Sequence, residues 1–274
     1  MRLGQPGLLY FVACLAVYGA TDDPVEIVRK SVDRDANNFA RIKNYTFIER
    51  EEDRDVDSKG KVKKTESETA EVLILMGRPY ARTIAKNDKP LSEKEQQAEQ
   101  RKLDREVAKR ERESEGERGR YERDRAESRK FLQELPAAFN FKLLGTETLS
   151  GKPVWVIDAT PKPGYKPRQE RAKVLSRIHA KLWIDQTEYQ WVKMEAEALD
   201  TLSFALNLIR VAPGAKLHFE QVRVNDEVWL PSLFSVQGSV RVAYVKKLAG
   251  GMDVTYRDYR KFQSDSKLVT AGDP

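Results

Sequence analysis

Apolar and polar residues alternate along many short stretches of this chain. Around the stretch LWIDQTEYQWVKMEAEA, four apolar residues share one parity before a polar break, namely Ile178, Ala180, Leu182 and Ile184. Four more share one parity after it: Val192, Met194, Ala196 and Ala198. A period of two is typical of antiparallel strands that place one face in water and the other against a core, a helix or a ligand.

The same alternation predicts strands from Tyr45 to Ala85 and from Phe141 onward, where turn residues recur about every ten positions. The predicted turns are Asp57–Gly60, Ser150–Gly151, Pro213–Gly214 and Gly250–Gly251. LSFALNLIRV, 202–211, is predicted to be one strand, and Gly238 marks a bulge or bend. A sheet with this many strands curves, so the pattern predicts a mainly β (α+β) fold.

One amphipathic helix is predicted ahead of the strands. Asp23 is a suitable N-cap, Pro24 fits the first helical position and Glu26 lies three residues after the cap. Apolar residues then recur at helical spacing up to Lys43: Val25, Val28, Val32, Ala36, Phe39 and Ala40. Such a helix needs a surface to cover.

Residues 1–20 resemble an export signal, with a basic start, a short apolar run and small residues at its end. An uncleaved anchor is the alternative. Cys14 is the only cysteine, and it is considered as a lipidation site although its surroundings lack the usual leucine. Cleavage leaves a chain without thiols, which excludes disulfides, cysteine catalysis and thiolate metal sites. The expected location is therefore periplasmic, with residues 21–274 forming one domain.

Residues 92–135 differ from the rest, because opposite charges recur at three- and four-residue spacing and apolar residues are almost absent until Phe131. We predict a long charged helical insertion, broken into two pieces at Gly116 and Gly119. A solvated or partly disordered segment is one interpretation, and a docking arm or flap is the other.

The loop 162–173 carries five basic residues against one acid: Lys162, Lys166, Arg168, Arg171 and Lys173. These cations are candidates for contact with lipid headgroups or an acidic partner, and a solubilising loop is the plainer interpretation. Nucleic acid is not expected as a partner of an exported protein.

No catalytic or metal-binding motif is found. His179 and His218 have no second histidine or carboxylate at ligand spacing, and Asp185 fits a turn in which it bonds its own backbone. Trp183 and Trp191 are expected on the parity opposite to the aliphatic residues. The chain is predicted to be a non-enzyme without cofactors.

Several segments resemble the superfamily of periplasmic lipoprotein carriers, which includes LolA, LolB and the RseB-type sensor domain. They are LLGTETLSGKPVWVIDATPKPGYKP, KLWIDQTEYQWVKMEAEA, VNDEVWLPSLFSV and TYRDYRKF. The likeness is loose over 24–86 and better over 139–263. It implies a curved, incomplete antiparallel β-barrel around a helical lid, with an apolar cavity for acyl chains. The charged insertion departs from those carriers.

The leading hypothesis is an exported carrier that holds lipid or lipoprotein acyl chains and meets a membrane surface only transiently. Its cavity would be lined by Ile178, Leu182, Ile184, Val192, Met194, Phe204, Phe234 and Val236. The alternative is a cell-envelope sensor or interaction module with a closed core, which binds an envelope protein through 92–135.

Overall fold

A computed structural model describes residues 22–57, 59–204, 209–242 and 246–262. The predicted export signal and Cys14 lie outside these residues. The described strands are β1 Tyr45–Val56, β2 Val62–Leu75, β3 Arg78–Lys86, β4 Lys89–Pro90, β5 Phe139–Leu149, β6 Lys152–Pro161, β7 Ile178–Asp185, β8 Trp191–Ala198, β9 Leu202–Phe204, β10 Ile209–Val211, β11 Lys216–Val224, β12 Val228–Val242 and β13 Lys246–Lys261. The helices are α1 Pro24–Ile42, α2 Glu93–Glu111, α3 Glu115–Glu127 and α4 Leu135–Ala138, with 3-10 helices at Lys130–Glu134 and Glu170–Arg177.

The strands form one antiparallel sheet in the order β4-β3-β2-β1-β13-β12-β11-β8-β7-β6-β5, with β10 on β12 and β9 on β10. The first and last long strands, β1 and β13, pair in the middle of the sheet. Among the described strands β4 and β5 remain unpaired edges, so the sheet is open. The mainly β, antiparallel architecture is confirmed, and the predicted incomplete barrel is supported only as far as the described strands form one open sheet.

Helix α1 begins as its sequence predicts. The Asp23 carboxylate accepts a hydrogen bond from Val25 N at 3.0 Å, and Pro24 occupies the first turn. The buried face of α1 includes Ile27, Val28 and Val32. These residues pack on one face of the sheet, which is called the inner face below; the opposite face is the outer face.

Two glycines face each other where β12, β13 and β1 meet. Gly238 pairs with Gly250, and both have positive φ, 134° and 148°. A Cβ on Gly250 would lie 1.9 Å from the carbonyl oxygen of Arg54 in β1. The β12–β13 register continues through Gly238 without a shift, so that ladder has no bulge there, and the bend at Gly238 stays a prediction. The prediction of a turn at Gly250–Gly251 is wrong, because both residues lie inside β13. Since they have no side chains, the backbones of the neighbouring strands can approach them closely.

Two other strand predictions change in detail. Residues 202–211, predicted as one strand, form β9 and β10, which pair with each other. Edge strand β5 contains a bulge, since Leu143 pairs with Ile157 and Gly145 with Val156, leaving Leu144 without a partner residue. In the described part of the chain no helix is long and apolar enough to span a bilayer.

The charged segment is helical and is fixed at both ends. Its break lies at 112–114 rather than at a glycine, because Ser114 and Glu117 form a capping box that starts α3. Near the end of α2, the buried Arg110 guanidinium donates to three carbonyl oxygens of the β2–β3 turn, those of Leu75, Arg78 and Pro79, at 2.9–3.2 Å.

The other end of the segment docks on α1. The guanidinium groups of Arg125 and Arg129 lie 4.5 and 4.2 Å from the ring centre of Phe39, and Arg129 also pairs with Asp35. The charged segment therefore links the β2–β3 turn to α1, and α1 covers the inner face at the opposite end of the sheet.

Candidate functional site

The part of the inner face under α1 is a packed core. Trp155, Ile157, Leu182 and Ile184 belong to one buried cluster with the apolar side chains of α1. Ile184 is fully buried and Leu182 is 5% exposed. Ile178 packs partly buried against the same cluster. Three of the predicted cavity residues are thus occupied by contacts with protein.

The 3-10 helix Glu170–Arg177 covers the same face beside α1. Ala172 and Leu175 are buried in the cluster, at 0% and 2% exposure. The inner face over β5–β8 is therefore closed by two elements, and any accessible apolar surface must lie further along the sheet.

The prediction that Val192 shares a face with Met194 is wrong. Trp183 pairs with Lys193 but Ile184 pairs with Trp191, so a bulge at Val192 reverses the parity at the start of β8. Val192 packs on the outer face with Trp183 and Trp229. For the same reason Trp191 lies in the inner cluster, although Trp183 lies on the outer face as expected.

Beyond the helix, one line of directly paired residues crosses the inner face from the core to the far side of the sheet. We call it the first row: Leu182, Met194, Phe219, Phe234, Val254, Glu51, Glu68 and Lys86. Directly opposed residues of antiparallel strands point to the same face, so these side chains share the inner face. Phe219 and Phe234 are half-buried, in contrast to Leu182.

A second row lies two residues along each strand: Ala180, Ala196, Leu217, Val236, Met252, Asp53 and Glu66. Leu217, Val236 and Met252 are half-buried. Both rows are apolar as far as β13 and acidic on β1 and β2. The apolar lining of the core therefore continues past α1 and ends at a line of carboxylates.

The acidic side of the inner face is electrostatically crowded. Glu49 lies one more step along β1, and burial together with Glu51 and Glu68 raises the pKa of its carboxyl group. Burial, Glu49 and Glu51 also raise the pKa of Tyr256 to about 12. A groove of about 370 Å³ runs along these carboxylates and reaches Lys86 and Asn87.

The structure brings Met194, Phe234 and Val236 together with residues that the sequence analysis did not select. Those are Leu217, Phe219, Met252, Val254 and the carboxylates of the two rows. The alternation of KLHFE and the shared parity of Glu49, Glu51 and Asp53 could have identified these residues from the sequence. That the apolar and acidic groups lie on the same face depends on the pairing of β1 with β13. The side chain of Phe204 lies outside the described part of the structure.

The five cations of the basic loop are all exposed. The loop is held from below by the buried carboxylate of Glu134, which accepts hydrogen bonds from Tyr165 Oη at 2.6 Å, Arg168 N at 2.9 Å and Gln169 N at 3.1 Å. Burial opposes ionisation of Glu134, but these donors outweigh it and lower the pKa of its carboxyl group. The carboxylate thus stays charged and fixes the loop.

Both histidines line a polar groove of about 620 Å³ on the outer face. Each histidine hydrogen-bonds one carboxylate: His179 Nε2 lies 2.7 Å from Asp158 Oδ1 and His218 Nε2 lies 2.8 Å from Glu220 Oε1. The described residues contain no group of three or more His, Cys, Asp or Glu side chains arranged to hold a metal ion. Asp185 caps its own turn as predicted, accepting from Thr187 N and Glu188 N.

Comparison with solved structures finds several proteins to which this chain is similar. A DUF1329 family protein from Desulfovibrio piger is 14% identical, with a TM-score of 0.36, over 89% of this chain and 95% of the other. A LolA superfamily protein from Nitrosomonas europaea is 10% identical, with a TM-score of 0.31, over 89% and 94%. MucB of Pseudomonas aeruginosa, solved with MucA, is 11% identical, with a TM-score of 0.24, over 88% and 100%.

A LolA superfamily protein and MucB are therefore among the solved structures that this chain is similar to. No family model and no curated protein matches the chain.

Proposed function

We propose that this chain is an exported, non-enzymatic protein that binds an acyl chain reversibly on the uncovered apolar part of its inner face. The observation that supports this most directly is the continuation of two apolar rows beyond α1. In a protein with an ordinary closed core, residues such as Phe219, Phe234 and Met252 would be covered as Leu182 is.

The dimensions suit a hydrocarbon chain. From β8 to β13 each row crosses four neighbouring strands, or about 14 Å at about 4.8 Å per strand. Each methylene removed from water contributes about 0.8 kcal/mol, so burial alone supplies the affinity and no covalent step is required. In this arrangement the acyl chain lies beside α1, and the helix borders the bound acyl chain without covering it.

The test is binding of a fluorescent C16 fatty acid by protein recovered from an exported preparation, with native mass spectrometry to detect lipid already bound. The double variant Phe219→Ser/Phe234→Ser is expected to bind at least about tenfold more weakly, because two apolar contacts are lost. Leu144→Ser/Leu199→Ser is the matched control, since those leucines are 50% and 54% exposed elsewhere. A folded protein that carries and takes up no lipid would refute the proposal.

The basic loop would make the transient contact with a membrane. Its cations are exposed on a loop that Glu134 holds in place, and an anionic surface attracts each basic residue by about 1 kcal/mol. Lys162→Gln/Lys166→Gln/Arg171→Gln should lose co-sedimentation with anionic vesicles. Lys59→Gln/Lys61→Gln/Lys63→Gln, at equally exposed positions of the β1–β2 connection and the start of β2, should not. Equal loss in both variants would mean that net charge alone is responsible.

A second function, docking of an envelope protein on the charged segment, is favoured by the anchoring of that segment at both ends. Binding to a charged surface that is already ordered costs little conformational entropy, whereas a disordered tail loses conformational entropy when binding orders it. A photo-crosslinker at the exposed Arg101 should then trap one partner, and reversal of the charges around it should abolish the crosslink. Deletion of 92–135 is a poorer test, because it also removes Arg110 and Glu134.

A further inference from the structure

One side of α2 carries five basic residues and no acid. Because an α-helix turns by about 100° per residue, their positions fall within about 80° around the helix axis, along a line about 27 Å long. All five are exposed, and together they are called the basic stripe: Lys94, Arg101, Arg105 and Lys109 of α2 and its C-cap Arg112. The segment 92–135 contains equal numbers of basic and acidic residues, so the basic stripe arises by separation of charge along the helix.

The cations of the basic stripe have no partner in the part of the chain that the structure describes. None of them makes a side-chain hydrogen bond or an ion pair there. The other two cations of α2 are both paired: Lys102 Nζ lies 2.5 Å from Glu99 Oε1, and Arg110 Nε lies 2.6 Å from Glu106 Oε1. Five positive charges on one side of the helix are therefore open to an anionic partner.

The basic stripe ends in a groove of about 580 Å³ between α2 and the start of α3. The α2 side of its lining consists of Arg105, Ala108, Lys109 and the cap Arg112. Two acids complete the lining, and both are engaged by other groups. Glu113 pairs with Arg78, and the Glu117 carboxylate accepts hydrogen bonds from Ser114 N and Ser114 Oγ at 2.8 Å. The three cations of the groove are thus not paired by the acids beside them.

The surface next to the basic stripe favours a narrow partner over a flat one. Glu93, Asp104 and Glu111 lie together on the neighbouring exposed side of α2, about 70° from the edge of the stripe. An anionic bilayer laid against α2 would meet these carboxylates as well, whereas a single chain lying along the stripe would avoid them.

The spacing of the cations fits a polypeptide. Arg101, Arg105 and Lys109 follow one another at intervals of four residues, or about 6 Å. Carboxylates at every second residue of an extended chain are about 6.7 Å apart, and carboxylates at every fourth residue of a helix are about 6 Å apart. Either form of an acidic segment can place its charges opposite successive cations.

Building on the second proposed function, the docking of a protein on the charged segment, we propose that the basic stripe binds an acidic polypeptide segment. The segment lies along α2 and ends in the groove against Arg105, Lys109 and Arg112. Because Arg110 and the contacts with Phe39 already hold the charged segment in place, the cations are arranged before the partner arrives.

The experiment measures binding of fluorescently labelled, alanine-rich peptides to the full exported chain. The peptides carry four glutamates, four glutamines or four lysines at every fourth position. At low salt the glutamate peptide should bind at least about tenfold more tightly than the glutamine peptide, and the lysine peptide most weakly. The ratio should fall toward one at about 1 M salt, where the Debye length is about 3 Å.

The variant Arg101→Gln/Arg105→Gln/Arg112→Gln should lose most of this preference. Lys59→Gln/Lys61→Gln/Lys63→Gln removes the same charge from exposed positions elsewhere and should behave like the parent. Arg101→Glu/Arg105→Glu/Arg112→Glu should reverse the preference and bind the lysine peptide, which a variant that merely fails to fold would not do.

The outcomes separate this proposal from the docking function. If a photo-crosslinker at Arg101 traps one partner but the three peptides do not differ, the acidic segment is wrong and docking stands. If neither the peptides nor a partner binds, both are wrong. If anionic vesicles rather than the glutamate peptide depend on the three arginines, the basic stripe belongs to a membrane contact and the proposal is wrong. A native mass showing a dimer that only the arginine variants dissociate would assign the basic stripe to a second copy of the chain.

Discussion

Gly250 is the residue at which the sheet has the least room. Its φ of 148° and the proximity of the Arg54 carbonyl both require the absence of a side chain. Gly250→Ala is expected to lower the free energy of unfolding by about 3 kcal/mol through overpacking and backbone strain. Urea unfolding monitored by circular dichroism measures this directly.

The control is Gly116→Ala in α3, where a Cβ meets only Ser114 Oγ at 3.8 Å. Alanine is favoured over glycine in a helix by up to about 1 kcal/mol, so this variant should be slightly stabilised. Equal effects of the two substitutions would contradict the close approach of β1 and β13.

Glu134 is the residue on which the basic loop depends. Because its pKa in the folded protein is below the ordinary 4.5, its contribution to stability is fully present above pH 4.5 and is lost as the pH falls toward the lower, folded-state pKa. Glu134→Gln should cost about 2 kcal/mol at neutral pH, since the amide loses a charged acceptor for three donors.

The difference between parent and Glu134→Gln should shrink when unfolding is measured well below pH 4.5. Glu170→Gln, which removes an exposed pair with Lys173, should have little effect at either pH. A constant difference across the pH range would mean that the carboxylate is not the relevant group.

At the scale of elements, α2 illustrates how a helix with hardly any apolar surface is held. Arg110 satisfies three carbonyl oxygens and pairs with Glu106 at 2.6 Å. Arg110→Met is therefore expected to weaken the docking of α2 by about 2 kcal/mol, which speeds amide hydrogen exchange across α2 by about 30-fold. Hydrogen-exchange mass spectrometry resolves this region from the sheet.

Arg101→Met on the exposed side of α2 is the matched control and should leave exchange unchanged. The few apolar residues of 92–130 would by themselves predict low protection, so protection of α2 in the parent is expected to depend on Arg110. Protection that survives Arg110→Met would contradict the role given to Arg110.

Local signals predicted the elements well. Asp23 and Pro24 mark the start of α1, and alternation locates nearly every strand. The errors arise where one residue changes the outcome: the bulge at Val192 turns its side chain to the other face, and Gly250 lies in a strand because two neighbours come close to it. Local periodicity predicts neither the bulge at Val192 nor the close approach of the strands at Gly250.

The candidate site was less accessible to sequence reasoning. Phe234 and Val236 were identified by parity, but Glu51 and Asp53, which lie across β13 in the same rows, are about 180 positions earlier in the chain. Only the pairing of β1 with β13 brings the apolar and acidic parts together, and long-range pairing has no local signature.

For the whole molecule, the order of strands sets the order of folding. β5–β8 are consecutive hairpins, whereas Thr46 hydrogen-bonds to Arg260 across 214 positions. Since long loops close slowly, refolding should take milliseconds to seconds or longer. Pulse-labelling hydrogen exchange should protect β5–β8 before β1 and β13. Simultaneous protection of all strands would contradict this order.

The bulge of β5 has a consequence for how copies of the protein behave at high concentration. β5 is a long edge with unpaired backbone groups, which is the kind of strand that templates fibril growth. The extra residue Leu144 and the positive φ of Gly145 interrupt its hydrogen-bonding register, so a second chain cannot add along its whole length. Deletion of Leu144, which would restore a regular register, is therefore expected to make β5 a better template for the addition of a second chain.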